Sequence, residues 1–424
     1  MVRFAILRRV FGPTNLEVRL RASAPQRHSR VVRSLSRRER VPILFLAQDV
    51  STWKCDSIYR AAEHHPRLDP VVVVHPRGGA YESLLSHDRT ACNLFLHDRT
   101  ADSFETMGYV VKRTLDRRGR LIGSGISGKG ILVSTNPHSG ITPTLFRPQL
   151  LLEHLPVYIP YMIGVYSSER LNFDLLTYHL AWRHYRATPW HHEQGLRKVP
   201  DSSRNSRFVG YSNRDRLVSA LATTPRRSGA PVLLWAPHHS IEPGEYQIST
   251  FLEWHEVFLD MARSGREASV IFRPHPLLLG KLVQLWGLHR AQSYWVAWRE
   301  ALSGRISEAE HQAEVFAESD AIIHDSITFM GEWLLVGRPA AFLMRSDIDP
   351  RERLNDLGRE FLRGHHLVHD AEDLEEFIKL IRCGADPLAA TQQELAAAHL
   401  PSPRFGSVGQ AVVQDICAGL GIPA

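Results

Sequence analysis

Short apolar runs alternate with amphipathic stretches along most of the chain. The runs are rich in β-branched and aromatic side chains, and turn-forming residues bound them, which is typical of buried strands in a parallel sheet. The predicted strands cover residues 41–47, 71–74, 130–135, 156–161, 231–236, 268–273, 321–324 and 340–344. Strands that alternate with helices in this way predict an α/β chain built of βαβ units.

Apolar positions at helical spacing predict the connecting helices. The first half has candidates at residues 56–65 and 102–118. In the second half, Thr250 and Glu253 form a capping-box pattern at the start of a helix. A further helix is predicted from about Thr328, and another after Asp370.

The length of 424 residues indicates two domains rather than one core. Residues 223–229 are rich in Pro, Arg and Ser and carry no periodicity, so the boundary is placed near them. The predicted division is 1–40, 41–215 and 216–424. The expected fold class is α/β, with two doubly wound Rossmann-like domains facing across a cleft.

The net charge of +6 comes from the first forty residues. Residues 1–40 hold eleven Arg and two Glu, which gives +9 and leaves −3 for the remaining 384 residues. We interpret 1–40 as a basic segment that is either a flexible solvated arm or a contact to anionic lipid. The basic charge is confined to 1–40, and this segment has no interleaved aromatic side chains beyond Phe4 and Phe11, so no nucleic-acid partner is expected.

No apolar run approaches the length of a membrane span or of a signal-peptide core. The expected location is therefore the cytoplasm, with peripheral attachment to the inner face of the cell membrane through 1–40 as the alternative. The four cysteines form no CxxC pair, so neither a zinc site nor a tightly bound cofactor is indicated. Asp347 and Asp349 have D-x-D spacing, which we interpret as a loop rather than a metal site.

Two strand-end loops in the second half carry histidines. The first holds His238, His239 and Ser240, and the second holds Arg273 and His275. The carboxyl ends of parallel strands meet at one edge of a sheet, so these side chains are expected to converge. Guanidinium and hydroxyl groups are suited to binding a diphosphate, and imidazole can act as a donor or proton carrier. His238, His239 and His275 are therefore also candidate catalytic residues.

A third loop follows the strand at 321–324. Asp325, Ser326 and Thr328 stand where the next helix is expected to begin, and the exposed N–H groups of a helix start favour an anion. Ser326 or Thr328 would serve equally well as a plain helix cap. Together with the two histidine loops, the third loop favours a phosphate-binding site.

Several motifs occur in a fixed order between residues 136 and 381. They are Trp235-Ala-Pro-His-His-Ser-Ile241, Ser249-Thr-Phe251, Arg273-Pro-His-Pro276, Ser319-Asp-Ala-Ile-Ile-His-Asp-Ser326 with Glu332, and upstream Tyr158-Ile-Pro-Tyr161 and Val209-Gly-Tyr211. In combination they resemble the CDP-glycerol glycerophosphotransferases, the family of teichoic-acid primases and polymerases and related capsule-polymer enzymes. The resemblance implies a GT-B fold, with an acceptor domain at 41–215 and a nucleotide-donor domain at 216–424.

The resemblance further implies transfer of glycerol phosphate, or a related polyol phosphate, from a CDP-linked donor to a lipid-linked or polymer hydroxyl acceptor, with release of CMP. By this likeness Arg273 and His275 contact the donor phosphates, and Ser326 and Thr328 hold the diphosphate. Glu332 would then reach the ribose hydroxyls.

Many members carry a Trp-His-Gly-Thr-Pro motif whose histidine is a candidate base, and this chain lacks it. His138 is the first substitute candidate. The others are His184 and the pair His191 and His192.

Two other functions remain open at this stage. One is a GT-B glycosyltransferase that uses a nucleotide-linked sugar, for which the same phosphate site would serve. The other is a non-catalytic protein that binds a membrane or nucleic acid through its basic segment.

Overall fold

The structure is a computed structural model that describes residues 14–76, 88–122, 128–136, 152–226, 229–242, 247–307, 311–404 and 406–423. The candidate base His138 and the start of the basic segment, residues 1–13, lie outside these ranges. The chain divides into two compact units. The first comprises 1–161, 169–215 and 402–424, and the second comprises 162–168 and 216–401.

The first unit is built around a parallel sheet flanked by helices. Its strands are β1 Val41–Ala47, β2 Leu68–Val74, β3 Val111–Arg113, β4 Ile131–Ser134, β5 Leu155–Tyr158, β6 Arg183–Tyr185 and β7 Ser206–Arg207. Its helices are α1 Asn15–Leu35, α2 Asp56–Glu63, α3 Arg89–Thr106, α4 Glu169–Phe173, α5 Leu176–Leu180, α6 Pro189–Lys198, α7 Pro200–Ser203 and, at the far end of the chain, α17 Val408–Leu420.

The second unit repeats this plan. Its strands are β8 Val232–Ala236, β9 Ser269–Phe272, β10 Gly304–Ile306, β11 Ala321–His324, β12 Ala340–Leu343 and β13 His366–Val368. Its helices are α8 Arg214–Thr223, which begins at the boundary, α9 Phe251–Ser264, α10 Leu278–Trp286, α11 Leu288–Glu300, α12 Gln312–Glu318, α13 Met330–Leu334, α14 Asp356–Leu362, α15 Ala371–Arg382 and α16 Ala389–His399.

Both sheets have the strand order of a doubly wound Rossmann fold. The first sheet runs β3-β2-β1-β4-β5-β6-β7 and the second β10-β9-β8-β11-β12-β13, and the strands pair in parallel. The order reverses between β1 and β4 in one sheet and between β8 and β11 in the other. Ligands of such sheets bind outside the carboxyl ends of the strands at this switch point. The predicted fold class of two Rossmann-like domains is confirmed.

The central strands are apolar throughout because helices cover both faces of each sheet. In β1, Ile43 and Phe45 belong to one core cluster, whereas Leu44 and Leu46 belong to the cluster on the opposite face. A continuous apolar run is therefore what a buried parallel strand requires. This explains why the central strands were visible in the sequence.

The basic segment is partly folded, which corrects the expectation of a flexible arm. Helix α1 begins at a capping box formed by Thr14 and Glu17. It buries Leu20, Val31 and Leu35 against the first unit, while its arginines lie mostly on the outer face. The buried residues of α1 are separated in sequence by arginines, so the apolar periodicity of this helix was not recognised from the sequence.

The predicted second domain, 216–424, also needs correction at its end. Residues 402–424 return to the first unit, where α17 packs on α2. Gly409 makes this close approach, because a Cβ atom there would overlap the backbone carbonyl of Ser57. The Gly409 N–H also donates to Asp215 Oδ2 at 3.1 Å.

The predicted helix over 102–118 is wrong in position. Helix α3 ends at Thr106, Gly108 takes a positive φ of 78°, and the chain turns into strand β3. Glycine is the residue that adopts this backbone conformation without strain. Apolar residues at helical spacing continue in the sequence beyond Gly108, although the helix ends before this residue.

Substitution Gly409→Ala tests the return of the C-terminal helix to the first unit. The added methyl group must push α17 away from α2, so we expect the free energy of unfolding to fall by about 1–3 kcal/mol. Chemical denaturation measures this change. The control is Gln414→Ala, an exposed position on the same helix, and equal stability of the two variants would contradict this packing.

Candidate functional site

The carboxyl edge of the second sheet brings the three predicted loops together. Strands β9, β8 and β11 are neighbours in that order. The loops that follow them carry His275, the pair His238 and His239, and Asp325. The histidine loops and the third loop therefore lie side by side at the switch point of this sheet.

A buried carboxylate ties the loop after β8 and the start of α9 to the third loop. Asp325 is fully buried, and its Oδ1 accepts the backbone N–H of His238 at 2.5 Å. Its Oδ2 accepts the Thr250 N–H at 2.6 Å, the Thr250 hydroxyl at 3.0 Å and the Ser249 hydroxyl at 3.1 Å. Burial raises the pKa of Asp325, although the four donors act in the opposite direction. Both oxygens are directed at protein donors, so Asp325 positions the loops rather than faces a ligand.

The start of helix α9 differs from the predicted capping box. The Thr250 side chain does not cap the helix; its hydroxyl donates to Asp325 instead. The Phe251 N–H is accepted by Ser249 Oγ at 3.2 Å. Donation to the buried carboxylate orients the Thr250 hydroxyl toward Asp325, and Ser249 Oγ accepts a helix N–H in its place.

His238, His239 and His275 form a compact group, which we call the histidine trio. Their ring centroids are 4.2 Å apart for His238 and His239, 4.1 Å for His239 and His275, and 5.2 Å for His238 and His275. The trio rests on an aromatic core beneath it. Trp235, the penultimate residue of β8, stacks on Phe272 at 4.8 Å and on Phe258 at 4.5 Å. This packing holds the strand ends that carry the trio.

Backbone donors set the tautomers of two members of the trio. The Leu277 N–H donates to Nδ1 of His275 at 3.1 Å, and the Ser240 N–H donates to Nδ1 of His238 at 3.3 Å. A nitrogen that accepts a hydrogen bond carries no proton, so the proton of each neutral ring is on Nε2. His238 and His275 therefore each offer one N–H donor.

The third member, His239, has no such constraint. Its Nδ1 atom is buried and has no hydrogen-bond partner among the described residues. Burial, with a smaller contribution from the charge of Lys281, lowers the pKa of His239 to about 4. Burial also holds the pKa of His238 well below its usual value. These two rings are uncharged near neutral pH.

This arrangement suits an anion better than a metal ion. The ligand nitrogens of the trio lie within 4.8 Å of one another, close enough to suggest a divalent cation. A metal, however, requires a lone pair from each ring, and in His238 and His275 the lone pair of Nδ1 already accepts a backbone N–H. The Nε2 atoms of His238 and His275 are N–H donors, and phosphate oxygens accept hydrogen bonds from such donors.

The predicted phosphate ligands Arg273 and Ser240 lie in the same loops. Arg273 is buried at the end of β9, and its guanidinium donates to Ser307 Oγ at 2.8 Å. Ser240 is half-buried, and its Oγ lies 2.9 Å from Nδ1 of His238. Arg273 lies in the same loop as His275, whereas Ser240 supports the orientation of His238.

The structure places Ser326, Thr328 and Glu332 less favourably for a ligand. Helix α13 begins at Met330, beyond the predicted start, and is five residues long, so its end offers little dipole. The hydroxyls of Ser326 and Thr328 bond to each other at 2.8 Å. Glu332 is buried and accepts a hydrogen bond from the Gln312 amide. Within the second unit, these groups are engaged with the protein.

Sequence reasoning missed Arg345, which follows β12 at the same sheet edge. Its guanidinium donates to the Ser249 carbonyl at 2.8 Å and pairs with Asp347 at 2.7 Å. Asp349 pairs with Arg351 at 2.8 Å. The two aspartates of the D-x-D pattern are therefore bound to arginines. A cation directly after an apolar run was the available signal for Arg345.

Three candidates for the missing general base, namely His184, His191 and His192, lie in the first unit. They differ in their exposure to solvent. His184 is fully buried between the rings of Tyr158 and Tyr178, with centroid distances of 4.9 and 4.5 Å. His191 is buried, and its Nδ1 lies 2.8 Å from Thr188 Oγ1. His192 is half-buried and lines a groove of about 570 Å³. Of these three, His192 is the one that lines this cavity.

Comparison with known proteins identifies the fold. No protein-family model matches the chain, and no curated protein matches it in sequence. A variant of the wall teichoic acid polymerase TagF has a similar structure, with a TM-score of 0.54 and 10% identity over 97% of this chain and 99% of that one. The UDP-GlcNAc 2-epimerase of Neisseria meningitidis, solved with UDP-GlcNAc, has a TM-score of 0.50 and 13% identity over 89% of this chain and 100% of its own.

A second epimerase, from Methanocaldococcus jannaschii and solved with UDP-GlcNAc and UDP, also has a TM-score of 0.50, at 12% identity over 89% of this chain and 99% of its own. These neighbours share two Rossmann-like units, so the fold is of the GT-B class. At such identities the likeness establishes the fold alone. No described helix combines the length and apolarity that a membrane crossing requires.

Substitution Asp325→Asn tests the role of the buried carboxylate. An amide cannot accept from all four donors, because its N–H₂ group would face either the His238 N–H or the three donors of Ser249 and Thr250. We expect the free energy of unfolding to fall by about 1.5–3 kcal/mol, the range for hydrogen bonds to a charged group. Chemical denaturation measures the loss. The matched control is Asp347→Asn at an exposed position, and an equally small effect of both changes would contradict the assigned role.

Proposed function

We propose that the protein transfers glycerol phosphate, or a related polyol phosphate, from a CDP-linked donor to a hydroxyl acceptor in the synthesis of a surface polymer such as teichoic acid or capsule. The observation that carries this proposal is the pair of N–H donors on His238 and His275 at the switch point of the second sheet. The similarity to TagF over nearly the whole length of both chains supports the same choice.

The proposed donor site lies at the carboxyl edge of the second sheet. The Nε2–H groups of His238 and His275 would donate to phosphate oxygens, and Arg273 would supply positive charge. Preorganised donors stabilise charge as it develops on a transferred phosphoryl group. The locked tautomers contribute here because the rings need no reorganisation when the donor binds.

In the proposed reaction, the acceptor oxygen forms a bond to the phosphorus that bears glycerol. The bond from this phosphorus to the bridging oxygen breaks, and CMP leaves with the electron pair. The acceptor proton passes to a base or through it to solvent. His238 and His275 are poor candidates for this base, because their outward nitrogens already carry protons. His138 and, among the described residues, His239 and His192 remain candidates.

A nucleotide-sugar enzyme is the second candidate function. The two epimerases are about as similar in structure as TagF, and one was solved with UDP-GlcNAc and UDP. The same imidazole donors would bind the diphosphate of a UDP-sugar. The two functions differ in the nucleobase of the donor and in the group that is transferred. The preference for cytidine or uridine ligands is therefore the decisive measurement.

Binding of CDP, CDP-glycerol, UDP and UDP-glucose by calorimetry tests the proposal. We expect the cytidine ligands to bind more tightly, and His275→Asn to weaken them about 10- to 100-fold, as for one hydrogen bond to a charged group. The asparagine oxygen can still accept the Leu277 N–H, so the loop is retained while the donor is lost. His275→Gln places an N–H₂ near the Nε2 position and serves as the matched control.

Preference for uridine ligands would support the nucleotide-sugar function instead. Absence of nucleotide binding to the wild type, or full binding by His275→Asn, would contradict the donor site. Absence of nucleotide binding would also turn attention to the third function, a protein that binds membranes through its basic segment.

Attachment to an anionic membrane is also proposed, through the outer face of helix α1. Exposed arginines follow this face, and the helix is anchored by its buried stripe. Each basic residue near an anionic surface contributes about 1 kcal/mol. The basic face would bring the enzyme to a lipid-linked acceptor.

Four substitutions on α1, namely Arg19→Gln, Arg27→Gln, Arg30→Gln and Arg33→Gln, test this attachment. We expect weaker cosedimentation with vesicles of phosphatidylglycerol and phosphatidylcholine, and no change with phosphatidylcholine alone. Deletion of 1–40 is unsuitable because it removes Leu20, Val31 and Leu35 from the core. Unchanged sedimentation of the fourfold variant would exclude the helix as the attachment site.

A further inference from the structure

The first unit holds a groove that the proposed donor site does not use. Its volume is about 570 Å³, within the range of small-molecule sites. Helix α6 forms one wall, and the segment that leads through β7 forms the other. The lining residues are Pro189, His192, Glu193, Leu196, Arg204, Ser206, Arg207 and Phe208.

The groove lies beside the last two strands of the first sheet. Strands β6 and β7 are parallel, with Tyr185 opposite Arg207. Arg207 is the last residue of β7, and α6 begins at Pro189, shortly after β6 ends. The groove is therefore bounded by the edge strand β7 and the start of α6, away from the switch point between β1 and β4.

The charge of the lining favours an anion. Arg204 is exposed and has no ion pair among the described residues, while Glu193 is the one carboxylate of the lining. Arg207 lies 3.6 Å from Asp415, but this carboxylate also pairs with Arg183 at 2.9 Å. The single negative charge of Asp415 is thus shared between the guanidinium groups of Arg183 and Arg207 and does not neutralise both.

A further cation lies behind the groove. Arg186 is buried, and it donates to the Asn172 carbonyl at 2.8 Å and to Ser203 Oγ at 3.1 Å. Its partners among the described residues include no carboxylate, and its Nε atom has no partner there. Gly195 of α6 makes room for it, since a Cβ atom there would lie 3.0 Å from the guanidinium. The positive charge around the groove is therefore larger than its lining alone provides.

The other lining residues indicate which groups, besides a phosphate, the groove can contact. His192 is held by Ser206, whose Oγ lies 2.6 Å from its Nδ1. Burial, together with the charges of Arg186 and Arg207, lowers the pKa of His192, so its ring offers a hydrogen bond rather than another charge. Leu196 and Phe208 supply an apolar wall. Such a lining suits a phosphate attached to a small carbon chain, with His192 and Glu193 as hydrogen-bond partners for hydroxyl groups on that chain.

We propose that this groove binds the phosphate end of the acceptor, a polyol phosphate, through Arg204 and Arg207. The assignment as the acceptor site rests on the proposed function, whereas the affinity for a polyol phosphate does not. The same chemistry occurs in a free polyol phosphate and in a lipid headgroup. Probes of both kinds are therefore needed.

Calorimetric titration with glycerol phosphate tests the site. We expect saturable binding to the wild type and at least about tenfold weaker binding by Arg204→Gln, since a hydrogen bond to a charged group is lost. The double variant Arg204→Gln, Arg207→Gln should bind more weakly still. The matched control is Arg197→Gln, an exposed arginine of α6 outside the lining, which should bind as the wild type does.

A parallel titration with dihexanoyl phosphatidylglycerol, below its micelle concentration, identifies the source of the phosphate. Tighter binding than glycerol phosphate, with the same loss in Arg204→Gln, would support a lipid-linked acceptor. Weaker binding with that loss would support a soluble or polymer end. Absence of glycerol phosphate binding to the wild type, or equal binding by Arg204→Gln and Arg197→Gln, would overturn the proposal.

Titration of the same samples with CDP separates this proposal from the proposed function. Arg204→Gln should leave CDP binding intact, and His275→Asn should leave glycerol phosphate binding intact. Loss of glycerol phosphate binding in His275→Asn would place that ligand in the donor site and overturn the groove. Binding of glycerol phosphate without any binding of CDP would uphold the groove and contradict the CDP-linked donor.

Discussion

The buried carboxylate of Asp325 is the interaction on which the candidate site depends. A charge without partners in the interior is costly, and Asp325 avoids this cost by accepting four hydrogen bonds. These donors come from the loop after β8 and from the residues that lead into α9. The loop after β8 and the start of α9 are therefore fixed relative to β11, and the His275 N–H joins this loop by donating to the Pro237 carbonyl at 3.3 Å.

The fixed loops also determine what the histidines can do. In each of His238 and His275, the inner ring nitrogen accepts a backbone N–H, so the outer nitrogen carries the proton. Protonation of either ring would require the inner nitrogen to take a proton and lose its backbone donor. The two rings are thus built as neutral hydrogen-bond donors rather than as proton acceptors. A histidine-rich sequence motif does not by itself reveal this difference.

Much of the fold could be predicted from the sequence because its determinants are local. The central strands are apolar on both faces, and their loops begin where the apolar runs stop. The convergence of His238, His239 and His275 follows from parallel pairing alone. The return of α17 to α2 depends instead on a single close contact at Gly409, distant in sequence from Ser57. The role of Asp325 likewise depends on donors at His238, Ser249 and Thr250 that no periodicity connects to it.

The fold and the chemistry are specified by different parts of the chain. The strand order creates a switch point in each sheet, and the neighbours with the same fold include a polymerase and two epimerases. The proposed diphosphate-binding groups would recognise what CDP-linked and UDP-linked donors have in common, so they would not select between them. Selection of the donor must come from groups that contact its nucleobase and the moiety that is transferred. If the groove beside α6 holds the acceptor phosphate, the acceptor is selected in the first unit and the donor in the second, and each selection can change without disturbing the loops that Asp325 holds.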